Sequence, residues 1–356
     1  MAKRETEFAR TAITLKLVSQ QQAQECLTLY AQRRKSGERL QLADVFVEKG
    51  YLSTAQVGQV VQAMRQPRIS HIGRYKLLAK IGQGGMGTVY KARQESLDKI
   101  VALKVLAPGL AKQEDYVERF IREAQSSGQL NHPNIVLGID AGEADGYYYF
   151  AMEFVDGENV KALLQRQGKL DERGALAIAL AMAKALEHAA EHHIVHRDIK
   201  PGNILIASDD TPKLADLGLA KEVRGDHSIT QAGIPVGTPY YISPEQVRGQ
   251  EQVDIRADIY ALGGTLYHMV TGEVPYDGPT AAVVMTRHLN DDIPDPREHV
   301  PGLSNAIVAI IHRCMAKAPD DRYRSPAQLR EDLEAALAGK PLRHARRIGA
   351  RVHRAA

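Results

Sequence analysis

The stretch Val195-His196-Arg197-Asp198-Ile199-Lys200-Pro201-Gly202-Asn203 decides how the rest of the chain is read. Between Asp198 and Asn203 it sets out an acid, a cation and an amide, the groups needed to bring a hydroxyl, a polyphosphate and a hard metal ion together. A His-Arg-Asp triplet alone recurs by chance, but this one stands in an ordered series. Upstream lie Gly82-Gln83-Gly84-Gly85-Met86-Gly87 and the strand-like Val101-Ala102-Leu103-Lys104; downstream lie Asp216-Leu217-Gly218 and Ser243-Pro244-Glu245.

Each member has a physical reading. Glycines at 82, 84 and 87 let backbone N–H groups approach phosphate oxygens without a Cβ in the way. A dinucleotide-binding loop of this spacing needs a helix directly after it, whereas Thr88-Val89-Tyr90-Lys91-Ala92 has the composition of a strand. Alternation places Ala102 and Lys104 on one strand face, and a buried ammonium needs partners. Hard oxygen ligands suit magnesium, while the scattered His and Cys suit no zinc site.

Together these residues resemble the eukaryotic-type (Hanks-type) serine/threonine protein kinases over residues 75–338, and the Gly-Gly-Met-Gly and Ser-Pro-Glu-Gln runs look bacterial. The resemblance implies an α+β, bilobal fold: a small β-rich lobe with one regulatory helix (75–154) and a larger helical lobe (158–338). It implies ATP and Mg2+ as cofactors, with Mn2+ a possible substitute, and protein substrates. Asp198 would orient the substrate hydroxyl and accept its proton, Lys200 would contact the γ-phosphate, and Asn203 and Asp216 would ligate the metal. Lys104 would hold the α- and β-phosphates, paired with Glu123 of Arg122-Glu123-Ala124 rather than with Glu118. Gly82, Gly84 and Gly87 would cover ATP, with Ile81 and Val89 against adenine or ribose and Ala102 and Leu205 also among the ATP-binding residues. Met152 would be the gatekeeper, and the Glu153 and Val155 backbones would bond adenine. His196 reads as a packed structural histidine, because the family uses the neighbouring Asp as base.

Lys200 and the run Gly237-Thr238-Pro239-Tyr240-Tyr241-Ile242-Ser243-Pro244-Glu245 resemble the Ser/Thr class and its peptide-binding turn. Thr238 would bond near Asp198 and Lys200, and Glu245 would pair structurally with Arg322. Asp258, opening an apolar segment, is expected to cap a buried helix and brace the catalytic loop. Arg197 before Asp198 implies control by phosphate on the activation segment, with Ser228 and Thr230 as acceptors in autophosphorylation. Two positions depart from the commonest family pattern: Leu217 stands where Phe is usual and Ser243 where Ala is usual, each roughly conserving size. A pseudokinase or scaffold recruiting partners through N-terminal helices is the alternative, although every polar group the chemistry needs is present.

Residues 1–66 contain few turn formers and a faint repeat, Leu17-Val18-Ser19-Gln20-Gln21-Gln22 against Tyr51-Leu52-Ser53-Thr54-Ala55-Gln56. Ser19 and Ser53 are candidate N-caps, followed at helical spacing by Ala23, Cys26, Leu27 and Tyr30 and by Val57, Val60, Val61 and Met64. The expectation is a small all-α regulatory or adaptor domain, binding a protein partner or itself. Phe46 to Ser53 also resembles the helical modules preceding bacterial secretion and pilus ATPases. Residues 67–74, with Pro67 and Gly73, read as a linker.

The chain of 356 residues has a net charge of +3, and Lys340, Arg343, Arg346, Arg347, Arg351 and Arg354 crowd its end. Residues 339–356 therefore read as a solvated basic tail, with nucleic acid or anionic lipid contact the lesser reading. Cys26 and Cys314 form no C-x-x-C pair, which fits a reducing cytoplasm. The longest apolar run, Ala175 to Ala183, is far short of the roughly 20 residues that span a bilayer, and Met1 to Glu7 lacks the apolar core of a signal peptide.

Overall fold

In the computed structural model, which describes residues 3–36, 38, 40–65, 69–216 and 239–345, Ser19 and Ser53 begin two helices in the same way. The Ser19 hydroxyl accepts the Gln22 amide (3.2 Å), while the Gln22 side chain accepts the Ser19 amide (2.8 Å). Ser53 and Gln56 repeat the exchange at the same two distances. Two otherwise unpaired donors are satisfied at each helix start. Four helices result: α1 (Lys3–Thr14), α2 (Gln20–Lys35), α3 (Leu42–Glu48) and α4 (Thr54–Arg65). Their core gathers Phe8 of α1, Cys26 and Tyr30 of α2, Val45 and Phe46 of α3 and Val60 of α4, all buried. Leu27, Val57, Val61 and Met64 pack against that core while staying partly exposed. Replacing Ser53 by Ala should remove about 1 kcal/mol of stability. Urea unfolding followed by circular dichroism checks this, and a change below about 0.3 kcal/mol would reject the cap as a contributor.

The chain divides into two compact units, Met1–Gly84 with Thr88–Leu103, and Gly85–Gly87 with Lys104–Ala356. After α4 the first unit continues into β1 (His71–Ile72), β2 (Tyr75–Gln83), β3 (Gly87–Gln94) and the start of β4 (Lys99–Leu106). These strands neighbour one another in chain order. Strands β2 and β3 are antiparallel, from Tyr75 opposite Gln94 to Gln83 opposite Thr88. Strand β4 runs through the division.

The second unit takes the end of β4, then α5 (Glu114–Gly128), β5 (Gly138–Ala144) and β6 (Tyr147–Glu153), with β6 lying between β4 and β5. Asp145 and Gly146, both at positive φ (54° and 77°), close the β5–β6 hairpin, the conformation that favours an Asp-Gly turn. Strand β7 (Gly157–Asn159), α6 (Val160–Gln167) and α7 (Glu172–Glu191) follow, and then β8 (Ile204–Ala207) and β9 (Pro212–Leu214). The order β7-β8-β9 forms a second small sheet. The remaining helices are α8 (Pro244–Val247), α9 (Arg256–Thr271), α10 (Ala281–Asn290), α11 (Asn305–Cys314) and α12 (Pro326–Leu337). Helix α7, which holds the longest apolar run, packs on α9 and α12 and buries most of that run in the core, with Ala177 exposed. Among the described residues no helix is long and apolar enough to cross a membrane.

The structure differs from the expected tail at its near end. Gly339 takes a left-handed conformation (φ 66°) after α12, and the chain then turns back onto that helix. The buried Asp332 carboxylate accepts the backbone amides of Arg343 (2.7 Å), His344 (3.1 Å) and Ala345 (2.6 Å), together with the Tyr323 hydroxyl (3.0 Å). Arg313 donates to the His344 carbonyl. Residues 340–345 thus belong to the folded unit, because a buried carboxylate needs donors and three successive amides supply them. Residues 346–356, which hold most of the basic charge, lie outside the described residues.

Candidate active site

Strand β4 delivers Lys104 with its side chain 12 % exposed. Its ammonium reaches Glu123 on α5 at 2.7 Å and Asp216, just beyond β9, at 3.1 Å. Burial works against the charge on Lys104, but Asp216 and Glu123 outweigh it and raise its pKa, so the lysine stays protonated. Lys104 in turn holds Asp216 below the usual carboxylate range. Burial raises Glu123, and Lys104 opposes that rise. Glu118, the competing acid, instead pairs with Arg122 at 2.6 Å on an exposed helix face. Glu123 is therefore the partner that the Arg-Glu-Ala sequence indicated.

The loop between α7 and β8 draws its polar groups onto one carboxylate. Lys200 donates to Asp198 Oδ2 at 2.6 Å, and Asn203 Nδ2 donates to the same oxygen at 3.0 Å and to the Asp198 carbonyl at 2.8 Å. With its nitrogen so engaged, Asn203 has Oδ1 as the side-chain atom that could hold a metal. The Ala215 amide donates to the Asn203 carbonyl (2.8 Å), which ties this loop to the residue before Asp216. Arg197 and Asp216 both sit at positive φ, 65° and 53°. Such a conformation costs a non-glycine residue about 1–3 kcal/mol and persists only where surrounding contacts impose it.

For Arg197 those contacts come from α9. Asp258 is fully buried, and its two carboxylate oxygens accept the amides of His196 and Arg197, each at 2.7 Å. Burial pushes its carboxyl up to about 7, against the pull of those amides. The expected cap is corrected here: Ile255 occupies the N-cap of α9, and Asp258 lies inside the first turn. Its oxygens serve the loop between α7 and β8 instead of their own helix, because that loop brings two successive amides to them. The bracing role stands. His196, also buried, lies with Nε2 3.1 Å from the Ala215 carbonyl and Nδ1 3.3 Å from the Asp198 amide. Burial lowers its pKa to about 4, so the ring is neutral and structural.

Met152 is buried on β6, in a small cavity lined also by Val136, Phe150, His196 and Asp216. The Glu153 amide already donates to the Leu137 carbonyl (2.9 Å), so only its carbonyl is left for a ligand. The Glu153 side chain pairs with Lys213 of β9 at 3.0 Å. Leu205 lies on β8 opposite Lys213. Gly87 is required for a reason besides phosphate approach: a Cβ there would lie 1.9 Å from the Val105 carbonyl oxygen. Space around Gly84 is open. Ile81, Gly82, Gly84, Val89 and Ala102 belong to the first unit, on or beside β2, β3 and β4. Val155 follows β6 in the second unit.

Arg322 and Glu245 form the expected pair as a two-pronged contact of 2.7 and 2.8 Å, with both residues buried. Ser243 does more than conserve size. It caps α8, its hydroxyl accepting the Gln246 amide, while Gln246 Nε2 donates to the Arg197 carbonyl (3.1 Å). Ser243-Pro244-Glu245-Gln246 carries the capping-box pattern, so the cap is legible in the sequence, whereas the link to Arg197 comes from packing alone. Leu217, Ser228, Thr230 and Thr238 lie outside the described residues.

Residues 75–332 match the protein kinase domain family. Serine/threonine-protein kinase PknB of Mycobacterium leprae is 38 % identical over 272 residues, 75 % of this chain and 44 % of the relative. PrkC of Bacillus subtilis is 38 % identical over 265 residues, 74 % of this chain and 41 % of the relative. The chain thus spans less than half the length of these curated relatives. The crystal structure of the Mycobacterium tuberculosis PknI kinase domain is similar with a TM-score of 0.61 at 30 % identity, covering 77 % of this chain and 100 % of that one. Helices α1 to α4 fall outside the family match.

Proposed function

Because the chain belongs to the protein kinase family, we propose that it transfers the γ-phosphate of MgATP to serine and threonine hydroxyls of proteins. The observation that carries this reading is the pair of charge clusters in the second unit: Lys104 held by Glu123 and Asp216, and Asp198 contacted by Lys200 and Asn203. The relatives named above as serine/threonine-protein kinases support the choice of acceptor.

The donor set fits magnesium. Asp216 and Asn203 Oδ1 are hard oxygens, and two protein ligands suffice for an ion that takes its remaining positions from phosphates and water. Bound there, the ion would neutralise developing phosphate charge. The chain's own residues do the rest. Lys104, fixed by Glu123, neutralises and orients phosphates. Lys200 lies beside the carboxylate that meets the incoming hydroxyl, so its charge stands where negative charge grows. Asp198 orients that hydroxyl and takes its proton, while the Glu153 carbonyl and the Val155 backbone receive adenine. Leu205 of the second unit supplies an apolar contact to the nucleoside. The helical residues 1–66 serve as a regulatory or adaptor module.

Incubation with γ-labelled ATP, Mg2+ and degenerate peptides centred on Ser, Thr or Tyr tests the proposal. Label is expected on Ser and Thr peptides and not on Tyr. No transfer with either Mg2+ or Mn2+ would overturn it.

A further inference from the structure

Helix α10 buries a histidine that the phosphoryl-transfer chemistry does not use. His288 has no exposed surface. Its Nε2 lies 3.1 Å from the Tyr240 carbonyl oxygen and its Nδ1 lies 2.8 Å from the Tyr260 hydroxyl on α9. A carbonyl can only accept, so Nε2 must carry the proton. Nδ1 is then the acceptor, and Tyr260 donates to it. Burial, helped by the Lys317 charge, lowers the ring's pKa to about 4, so it stays in this single neutral tautomer at pH 7.

The groups around the ring leave it little freedom. Tyr276 packs edge-on against it, with centroids 4.8 Å apart, and Tyr260 is tilted at 5.7 Å. Lys317, beyond α11, donates to the His288 carbonyl (2.9 Å), the Arg287 carbonyl (3.3 Å) and the Tyr276 hydroxyl (2.9 Å), closing the last turn of α10. Tyr276 in turn donates to the carbonyls of Asp291 and Asp292. Helix α10 is thereby fixed at its end, and the one hydrogen bond its imidazole sends outward goes to the backbone of Tyr240.

Tyr240 sits at one end of a short segment anchored at several points. Tyr241 shares a hydrogen bond of 2.6 Å with His268 on α9, Ser243 caps α8, and Gln246 reaches the Arg197 carbonyl in the catalytic loop. Tyr240 follows Thr238-Pro239 in the chain, within the segment that the kinase resemblance assigns to the peptide substrate. We propose that His288 is a positioning residue for protein substrate: through Nε2–H it fixes the Tyr240 backbone, and so the height at which the acceptor peptide lies beside Asp198. The idea rests on the protein kinase reading above. It assigns His288 to peptide engagement and not to nucleotide binding, since the described contacts of its ring lead to Tyr240, Tyr260 and Tyr276.

Two substitutions separate positioning from packing. His288→Phe fills the ring's volume and removes the donor, whereas His288→Gln places an amide N–H near the Nε2 position. Hydrogen exchange in the full chain is read over residues 240–246, and apparent KM is measured separately for ATP and for a mixture of degenerate Ser and Thr peptides. For His288→Phe, exchange in that segment should accelerate and peptide KM should rise roughly 2- to 10-fold, the scale of one neutral hydrogen bond, with KM for ATP unchanged. His288→Gln should restore most of both. Unchanged exchange at 240–246 in His288→Phe, or equal rises in the two KM values, would overturn the inference. Absence of phosphoryl transfer in the unmodified protein would instead defeat the kinase reading, and the exchange measurement would still decide whether His288 holds the segment.

Discussion

Asp198→Asn should reduce phosphoryl transfer by roughly 10²–10⁴-fold, the range associated with a positioned acid–base group. The substitution nearly conserves shape, so its effect can be traced to charge and basicity. In the native loop one oxygen of Asp198 receives both Lys200 (2.6 Å) and Asn203 (3.0 Å). An amide oxygen can still accept both bonds, but it cannot take a proton from a substrate hydroxyl. It also leaves the Lys200 ammonium without a counter-charge. Most of the loss should therefore fall on kcat, with KM for ATP changed less than about threefold, because interactions made only in the transition state affect kcat. Steady-state kinetics with γ-labelled ATP check the split. Incorporation within about threefold of the unmodified protein would exclude Asp198 as the acid–base group.

Arg322→Ala should be the most damaging single change to stability, at about 3–5 kcal/mol. The guanidinium holds both oxygens of Glu245 and donates to the carbonyls of Ala316 (2.8 Å), Arg256 (2.8 Å) and Lys317 (3.1 Å). It also lies over the Tyr260 ring at 4.8 Å. Alanine would leave a buried carboxylate without its counter-ion and take one donor from each of three carbonyls. Because domain stabilities run to only about 5–15 kcal/mol, this removes a large fraction of the total. Arg322→Lys keeps the charge and loses the planar fork, so it should recover only part of the loss. Pairing Arg322→Met with Glu245→Leu should cost less than Arg322→Ala alone, since an apolar pair strands no charge. Urea unfolding ranks the three. A double variant less stable than Arg322→Ala would show that the ion pair itself, beyond its burial, holds α8 to the turn before α12.

How much of this was legible in the chain depended on whether a residue's partner was near in sequence or fixed by a motif. Helix α5 runs from Glu114 to Gly128, a span that local apolar periodicity marks. The capping boxes at Ser19 and Ser53 were readable for the same reason. Lys104 with Glu123, and Arg322 with Glu245, are distant pairs, and only resemblance to the kinase motifs linked them. Asp258 precedes an apolar run and so looked like a cap, while only the resemblance supplied its brace on the loop about sixty residues earlier. Where neither route existed, reading stopped. Tyr240, Tyr260 and His288 come from three separated segments with no common period, and only packing brings them together. Helices α1 and α3 were not separately expected, since the repeat marks the starts of α2 and α4 alone.

The Asp332 carboxylate sets a practical limit on how the protein can be cut. The family match ends at that residue and α12 ends at Leu337, so either would be a natural place to trim an expression clone. Trimming at either point removes the three amides of Arg343, His344 and Ala345 and leaves Tyr323 as the remaining donor among those described for a fully buried anion. A boundary drawn by similarity would thus discard half a binding site that the protein builds for its own chain. Any trimmed version should therefore retain Arg343, His344 and Ala345, whose amides complete that site.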